Sequence, residues 1–313
     1  MSSDPTIWHP GTTPDLSGRT YLVTGTSPGG IGQYVARDLA AAGARVVMAA
    51  RNARRLASAV DLVRGEVPDA DLDELLLDLA SMEAVRRAAH EAEHFGPLHG
   101  LVNNAGVMVS APQRTADGLD LQMATNHFGP FLLTGMLLPQ LAASGDGRVV
   151  SVSSQAHRAA RTAPTGEPRI TEPPKIRMQA YGQSKLANLL FTYELDRRLQ
   201  QAGLPVKALA AHPGYSATPL FANGRFGRPS GGGASIVDAV HKALAQPAAH
   251  GAWPILMATV ADLPGSTYCG PSGRGEARGL PKVVRPSDLA LDPAAQHELW
   301  EVSERTVGLR YPR

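Results

Sequence analysis

Two side chains near the middle of the chain, Tyr181 and Lys185, are suited to moving a proton. They lie four residues apart in the segment YGQSK, so on a helix they share one face. A free phenol has a pKa near 10, which is too high for efficient proton exchange at neutral pH. Lowering that pKa to about 7 takes roughly 4 kcal/mol, which a desolvated ammonium at short range can supply. Such pairs also arise by chance, but the position of this one downstream of VSVSS predicts an acid/base site.

A glycine-rich turn near the N-terminus, TGTSPGGIG, follows a short β-branched run and precedes a helical pattern. This is the setting that a dinucleotide site requires. Gly25 permits the tight turn, Gly30 lets the backbone approach a pyrophosphate, and Gly32 lets helix and strand pack closely. The helix start then offers free N–H groups and the positive end of its dipole to phosphates. Taken alone, the turn fits a plain tight connection about equally well.

The second predicted strand ends in Ala50-Arg51-Asn52. An acidic residue at this point would bind the adenosine ribose and select NAD. A guanidinium suits a 2′-phosphate instead, because arginine binds phosphate through a charge-assisted fork. Arg54 and Arg55 add to the positive field, although arginine is also common at a solvated helix start. The sequence therefore predicts that NADP(H) is preferred over NAD(H).

Strand and helix patterns alternate from Arg19 onwards. The predicted strands are TYLVTG, ARVVMAA, ELLLDL, LHGLVNNAG, GRVVSVSS, LPVKALAAHPG and STYCG. Helical patterns stand between the first six, with Ser81 as the N-cap of one of them. Apolar strands that alternate with helices indicate a parallel sheet covered on both faces. Since crossovers are almost always right-handed, the predicted fold class is α/β, a doubly wound parallel sheet of Rossmann type in a single domain.

The domain boundaries follow from changes in composition. Residues 1–18 are rich in Pro, Thr and Asp and are interpreted as an N-terminal tail, and 19–313 as a single dinucleotide-binding catalytic domain. The Pro-rich, basic segment 158–177 and the segment 215–233 follow strand ends, where ligands bind in open α/β sheets. Both are predicted to be lid loops, with ordinary surface loops as the alternative. Beyond Gly251 the pattern is weaker, with a helix at about Ala294 to Thr306.

Composition excludes several classes of protein. At 43% hydrophobic and 19% charged residues, the 313-residue chain can bury a sizeable core. A formal net charge of +2 does not indicate nucleic acid or a membrane surface as partner. The one cysteine, Cys269, can form no internal disulfide, and neither a signal peptide nor a membrane span is evident. His127, His157 and His212 lack metal-ligand spacing and are interpreted as structural residues beside the site. We therefore expect a cytoplasmic protein with no metal.

Six motifs together carry a resemblance to a known family. They are TGTSPGGIG, NNAG (103–106), Asn126 in TNHFGPFLLT, VSVSS (150–154), YGQSK and HPGYSAT (212–218). In this order, from about Arg19 to Thr218, they resemble the short-chain dehydrogenase/reductase family. SSQAHR and SKLANLLFTYEL are most similar to its retinol-dehydrogenase-like and protochlorophyllide-reductase-like branch. The chain departs from the family pattern by one extra residue between Gly25 and Gly32.

The resemblance implies a catalytic role for four residues. Ser154 would hydrogen-bond the substrate oxygen, and Tyr181 would donate or accept the proton. Lys185 would bind the nicotinamide ribose and lower the pKa of Tyr181, and Asn126 would hold a water that links Lys185 to solvent. The glycine turn, the second strand end and the resemblance together give these expected cofactor contacts: Gly25, Ser27, Gly30, Ile31, Gly32, Arg51, Asn52, Asp78, Leu79, Asn104, Ala105, Gly106, Tyr181, Lys185, Pro213, Gly214 and Thr218.

The predicted function is an NADP(H)-dependent oxidoreductase that transfers a hydride to or from a carbonyl or alcohol carbon. Met178, Leu220, Phe221 and Phe226 near the lid loops suggest a bulky, apolar small-molecule substrate, although ordinary loop packing explains them equally well. Two alternatives remain, a reductase of carbon–carbon double bonds and a non-catalytic NADP-binding sensor or scaffold. The presence of all four catalytic residues favours an enzyme. The resemblance also implies a homodimer or homotetramer.

Overall fold

An eight-stranded sheet forms the centre of the computed structural model, which describes residues 7–109, 111–216 and 246–312. The strands are β1 (Thr20–Thr24), β2 (Arg45–Ala50), β3 (Leu72–Leu76), β4 (Gly100–Asn103), β5 (Gly147–Val152), β6 (Val206–Ala211), β7 (Tyr268–Pro271) and β8 (Pro281–Val283). Their order in the sheet is β3-β2-β1-β4-β5-β6-β7-β8. β1 to β7 run parallel, and β8 pairs antiparallel with β7. The order reverses between β1 and β4, where ligands bind in doubly wound sheets.

The helices cover this sheet. They are α1 (Ile31–Ala41), α2 (Ala53–Glu66), α3 (Met82–Ala92), α4 (Leu121–Met123), α5 (Gly129–Ala143), α6 (Arg177–Gln201), α7 (Ala248–Val260) and α8 (Pro293–Val307). A π-helical turn, Ala124–Phe128, joins α4 to α5. The predicted N-cap of α3 is confirmed, because the Ala84 N–H donates to the Ser81 Oγ at 3.2 Å.

Alternate residues of the strands point into two separate apolar cores. On one face Leu22 and Val47 pack with buried residues of α3, α5 and α6. On the other face Val23 and Val46 pack with buried residues of α1, α2 and α7. Helices therefore cover both faces of a largely parallel sheet, and the predicted fold class is confirmed.

The third strand differs from its sequence prediction. The run ELLLDL, residues 74–79, predicted the strand, whereas β3 spans Leu72–Leu76. As the outermost strand it exposes part of its length, and Leu76 is 56% exposed. The chain turns away beyond it, because the Ala80 N–H donates to the Asp78 Oδ1 at 3.0 Å. Leu77 and Leu79 are buried beyond the strand, so continuous hydrophobicity did not mark its end.

Two elements were missed in the sequence. α7 is strongly apolar and contains Gly251 and Pro254, so its residues give no amphipathic period and no strong helix propensity. Pro254 is buried within it. β8 has only three residues and begins with Pro281, which is tolerated because the strand lies at the edge of the sheet.

Part of the N-terminal segment lies against the sheet. Ile7 forms an isolated antiparallel bridge with Lys282, and the Trp8 N–H donates to the Pro281 carbonyl at 2.9 Å. Leu16 is buried, and its N–H donates to the Ala42 carbonyl at 2.8 Å. The division into a tail and one catalytic domain stays a prediction. None of the helices in the described ranges has both the length and the apolar character needed to cross a membrane.

Candidate active site

The four predicted catalytic residues lie together beyond the C-terminal ends of β4 and β5. Ser154 follows β5 and is the N-cap of a 3-10 turn, Gln155–Ala159. Tyr181 lies on α6, and the Ser154 hydroxyl is close enough to its phenol to act on it through a hydrogen bond. The Lys185 Nζ lies 5.8 Å from the centroid of the Tyr181 ring. Both side chains are almost completely buried.

Close packing of α6 against the segment after β5 places Tyr181. A Cβ on Gly182 would lie 2.5 Å from the Ala156 carbonyl oxygen, so this glycine allows an approach that no other residue could make. One residue before Ser154, the Ser153 Oγ donates to the Lys185 carbonyl at 2.7 Å. These contacts fix the helix relative to the strand that carries Ser154.

The electrostatics of the phenol differ from the sequence prediction. Burial raises the pKa of Tyr181 above its usual range, and the hydrogen bond with Ser154 offsets only part of this rise. The Lys185 Nζ donates to the Val152 carbonyl at 2.9 Å, and burial lowers the pKa of Lys185 to about 8. The predicted lowering of the phenol pKa by Lys185 is therefore not seen in the structure. Tyr181 therefore carries its proton at neutral pH.

Asn126 holds the segment after β4 against α6. Its Oδ1 accepts the Val107 N–H at 2.7 Å, and its Nδ2 donates to the Val107 carbonyl and the Ser184 Oγ, both at 2.9 Å. Asn126 lies within the π-helical turn, an irregularity that is frequent at functional sites. A Cβ on Gly106 would lie 3.2 Å from the Lys185 Nζ, so the same segment passes close to the lysine.

The glycine turn brings the ends of β1 and β4 close together. Gly25 has φ +75°, and a Cβ there would lie 2.7 Å from the Ala105 Cα. A Cβ on Gly32 would lie 2.5 Å from the Asn104 Nδ2, which donates to the Thr24 carbonyl at 2.7 Å. The glycines therefore let the segments after β1 and β4 approach more closely than any side chain would allow, which agrees with the tight turn predicted at Gly25 and the close packing predicted at Gly32.

The extra residue of the glycine turn forms a β-turn of its own. The Gly30 N–H donates to the Ser27 carbonyl at 2.9 Å. Pro28 occupies the second position and Gly29, at φ +72°, the third, which is the pattern of a type II turn. The insertion is thus absorbed before α1, and Gly30 remains the N-cap of that helix.

The start of α1 fits a dinucleotide phosphate. None of the described side chains caps Ile31–Ala41 at its N-terminus. The first N–H groups of a helix have no partner within it, and together with the helix dipole they attract an anion. Gly30 and Gly32 bring no side chain to this helix start, so the residues present suit the cofactor that the sequence predicts.

The ends of β2 and β3 present the predicted adenosine-side residues. Arg51 is exposed and makes no ion pair with any residue in the described part of the chain. Asn52 is the N-cap of α2, and its Oδ1 accepts the Arg55 N–H at 3.0 Å. Asp78 is partly buried, whereas Leu79 is buried in the core. The Asn52 oxygen therefore already has a structural role.

The turn after β6 is held by backbone contacts. Gly214 has φ +67°, and a Cβ there would lie 2.5 Å from the Ala277 carbonyl oxygen. The Tyr215 N–H donates to the same carbonyl at 2.7 Å. Of the remaining predictions here, Thr218 and all but the first two residues of segment 215–233 lie outside the described residues.

The segment 158–177 crosses from β5 to the region after β4. The Arg114 guanidinium donates to the Arg169 carbonyl at 2.8 Å and pairs with Glu172 at 2.9 Å. Ile170 projects outward and is 76% exposed. The segment thus lies beside the site residues after β4, and its role as a lid stays a prediction.

Sequence reasoning missed one charged residue at the site, Glu276. It lies between β7 and β8, and its Oε2 is 3.0 Å from the Nε2 of His212. His157 is also close, because its Nδ1 donates to the Ser154 carbonyl at 2.7 Å and its Nε2 accepts the Ser287 N–H at 3.0 Å. In the described ranges no group of three or more His, Cys, Asp or Glu side chains could hold a metal ion. The residues that Glu276 contacts lie 64 or more positions away in the chain, so no local pattern in the sequence could have identified it.

Comparisons with known proteins agree with this geometry. A family model described as short chain dehydrogenase matches residues 19–166. Retinol dehydrogenase 13 of Homo sapiens is 34% identical over 311 residues, covering 95% of this chain and 87% of that protein. A crystal structure of an uncharacterized protein from Mycobacterium paratuberculosis is 36% identical, with a TM-score of 0.80, and covers 98% of this chain and 100% of that one.

A further solved structure holds a cofactor. The Pseudomonas aeruginosa RhlG/NADP active-site complex is 30% identical, with a TM-score of 0.53, and covers 69% of this chain and 78% of that one. The full-length similarity to retinol dehydrogenase 13, the family model and the observed fold all point the same way. The chain belongs to the short-chain dehydrogenase/reductase family and is an NAD(P)-dependent oxidoreductase that acts on small molecules.

Proposed function

We propose that this protein is an NADP(H)-dependent dehydrogenase/reductase with Tyr181 as its general acid/base. It transfers a hydride to or from a carbonyl or alcohol carbon of a small, apolar substrate. The observation that supports this most directly is the placement of the Tyr181 phenol beside the Ser154 hydroxyl and the buried Lys185 ammonium. All three lie at the strand ends where α/β sheets bind ligands.

The two hydroxyl groups act on the substrate oxygen. NADPH, when bound, supplies the hydride. Negative charge then grows on the carbonyl oxygen, and Tyr181 and Ser154 provide two hydrogen-bond donors for it. Because the pKa of Tyr181 is raised, the phenol carries its proton at neutral pH and gives it to that oxygen. In the reverse direction the phenolate accepts a proton from the alcohol.

Lys185 stabilises the charge that the phenol leaves behind. Its ammonium lies on the same face of α6 as Tyr181 and is positive below its pKa of about 8. A cation next to a forming phenolate, in the buried interior of the site, lowers the energy of proton release. Lys185 is thus proposed to act on the transition state, where the phenol loses its proton, and Asn126 to hold the water that links Lys185 to solvent.

The preference for NADP(H) rests on the end of β2. Arg51 is exposed there, and the strand ends without the acidic residue that would bind the ribose of NAD. The solved structure of RhlG, a relative of similar fold, is a complex with NADP. An apolar substrate is supported by the name of the relative retinol dehydrogenase 13, and by Met178, which is 43% exposed three residues before Tyr181.

The test is a turnover screen with a panel of apolar aldehydes, ketones, alcohols and enones. We expect NADPH fluorescence to fall with aldehydes or ketones, and NADH to be used less well. Analysis of the enone products separates attack at the carbonyl from reduction of the double bond, which is the alternative chemistry. NADPH binding with no turnover of any compound would contradict the proposal and favour a sensor or scaffold.

A further inference from the structure

Glu276 has an unusual backbone conformation for its residue type. It lies between β7 and β8 with φ +53°, in the left-handed region that residues other than glycine, asparagine and aspartate seldom adopt. Such a conformation is strained, so the surrounding contacts must favour it. Its neighbour Gly275 has φ +61°, so two consecutive residues are left-handed.

The Glu276 carboxylate joins two segments of the candidate active site. Its Oε2 accepts hydrogen bonds from the His212 Nε2, at 3.0 Å, and from the Gln155 Nε2. The Arg158 guanidinium lies 3.9 Å from its Oε1. Gln155 and Arg158 belong to the turn that Ser154 begins, whereas His212 follows β6. One side chain therefore bridges the ends of two neighbouring strands.

His212 transmits this contact to the turn after β6. Its side chain is fully buried, and its Nδ1 accepts the Gly214 N–H at 3.2 Å. That contact leaves the Nε2 as the protonated nitrogen, which donates to Glu276. Burial lowers the pKa of His212, and the hydrogen bond from His212 lowers the pKa of Glu276, so a neutral imidazole faces a carboxylate. The adjacent Ala277 carbonyl accepts the Tyr215 N–H, which ties the same turn a second time.

We propose that Glu276 is a positioning residue that fixes the segment of Ser154 relative to the turn of Pro213 and Gly214. This inference rests on the proposed function, in which Ser154 contacts the substrate and the turn contacts the cofactor. Glu276 then sets the distance between the substrate oxygen and the nicotinamide without touching either. The left-handed backbone at Glu276 directs the carboxylate into the gap between the two segments.

The experiment separates the contact of the Glu276 carboxylate with His212 from its contact with the Ser154 segment. Glu276→Ala removes both, and we expect about a tenfold rise in the NADPH Kd and about a tenfold fall in kcat, each the equivalent of one lost hydrogen bond to a charged group. Gln155→Ala removes the hydrogen bond to the Ser154 segment and leaves the contacts with His212 and with Arg158, at 3.9 Å, so kcat should fall about threefold to tenfold while the NADPH Kd stays unchanged. Glu276→Gln keeps an oxygen that accepts from His212, and the NADPH Kd should return to within about threefold of wild type.

A matched control lies on the outer face of α8. Glu301 also contacts a histidine, with its Oε1 3.4 Å from the His297 Nε2, but both side chains are half exposed. Glu301→Ala should leave the NADPH Kd and kcat unchanged. Kd is measured by NADPH fluorescence and kcat on the carbonyl compound with the highest turnover, both per folded protein as judged by circular dichroism.

Two results would overturn the inference. One is a Glu276→Ala protein with wild-type Kd and kcat and only a lower melting temperature, which would make Glu276 merely structural. The other, which decides the matter should Glu276→Ala not fold, is a Gln155→Ala protein with unchanged kcat. Wild-type protein that binds no NADPH would instead contradict the proposed function itself, and this inference with it.

Discussion

Lys185 carries a positive charge in the interior of the protein, where the residue is only 3% exposed. Its Nζ donates to the Val152 carbonyl, and no carboxylate among the described residues is paired with it. Burial lowers its pKa to about 8 from the ordinary value of 10.5. The protein therefore keeps this charge at a cost to its stability, as expected of a residue retained for chemistry.

Replacing Lys185 with methionine should abolish turnover and stabilise the protein. Burial of the charged lysine destabilises the folded protein by about 3 kcal/mol at neutral pH, which follows from the difference between pKa values of about 8 and 10.5. Removing the lysine relieves this cost, and the lost hydrogen bond to Val152 offsets about 1 kcal/mol of the gain. The Val152 carbonyl keeps a partner, because the Asn188 Nδ2 donates to it at 3.0 Å. Urea unfolding of the cofactor-free protein should show a higher free energy of unfolding for Lys185→Met.

The lowered pKa of Lys185 also makes the stability of the wild-type protein depend on pH. Between about pH 8 and 10.5 the unfolded chain binds a proton at Lys185 that the folded protein does not, so wild-type stability rises with pH in this window. Lys185→Met should lack that rise, and Lys175→Met, at an exposed position, should keep it. A lower melting temperature for Lys185→Met at neutral pH would contradict this account of the buried charge.

Arg51 allows a test of cofactor preference at a single residue. Arg51→Ala should lower kcat/KM with NADPH by about tenfold or more, because a charge-assisted contact with the 2′-phosphate is lost. The value with NADH should change little, since NADH carries no 2′-phosphate. Arg64→Ala is the control, because Arg64 is exposed in the last turn of α2, the helix that follows Arg51. Equal losses with both cofactors would show that Arg51 does not distinguish them.

Among the elements, the glycine turn and α1 depend most closely on residue type. A Cβ at Gly32 would meet the Asn104 side chain and the Gly25 carbonyl oxygen, at 2.5 Å and 2.8 Å. Gly32→Ala should therefore destabilise the protein by about 2 kcal/mol and weaken NADPH binding by about tenfold or more. Gly65→Ala is the matched control, because it adds the same methyl group to α2 in open space. Thermal unfolding and NADPH titration of both variants test this.

The prediction for Gly32→Ala can be contradicted by the NADPH titration. If Gly32→Ala bound NADPH as tightly as wild type, the start of α1 would not be a phosphate site. A loss of binding in Gly65→Ala would show that NADPH affinity reports general stability and not this turn. Wild-type affinity in Gly65→Ala, with a slightly higher melting temperature, is the expected result.

The sequence predicted elements well where local pattern determines them. Seven parallel strands and the N-cap of α3 followed from apolar runs and a cap residue, because these depend on neighbours in the chain. α7 could not be found this way, since a helix buried on nearly all sides has no amphipathic period. The π-helical turn that carries Asn126 was also missed, because its extra residue per turn has no propensity signal.

At the scale of the whole molecule, topology brings distant segments together in ways that local pattern does not show. The chemistry of Tyr181, Lys185 and Ser154 was predicted from motif order, and the structure places them side by side. The contact of Glu276 with Gln155 spans 121 positions and depends on a left-handed backbone at Glu276. The raised pKa of Tyr181 was likewise not predicted, because it depends on burial, which a motif does not reveal.

Three buried histidines should make the whole protein sensitive to acid. Burial lowers the pKa of His127 to about 3 and that of His157 to about 4, and it also lowers the pKa of His212. Each is neutral in the folded protein and gains a proton on unfolding below its ordinary pKa of 6.5. The free energy of unfolding therefore keeps its full value above about pH 6.5 and decreases as the pH falls below it. His127 alone lowers it by about 2 kcal/mol at pH 5.

His127→Phe provides the test of this acid sensitivity. His127 lies among Phe128, Phe131 and Phe191, where an aromatic replacement can be accommodated. The difference in unfolding free energy between neutral pH and about pH 5 should shrink by about 2 kcal/mol. His90→Phe, at a position with a 69% exposed side chain, should leave that difference unchanged. An unchanged difference in His127→Phe would mean that the histidine is not buried as described.

The most direct measurement of the central claim is a comparison of Tyr181→Phe with wild type in NADPH binding and in turnover. The substitution removes one hydroxyl from a buried ring, so the protein should fold and bind NADPH with unchanged affinity. Turnover of the carbonyl substrate should fall by about a thousandfold or more, as expected when the proton donor is lost. Turnover within a few-fold of wild type would show that Tyr181 is not the acid/base.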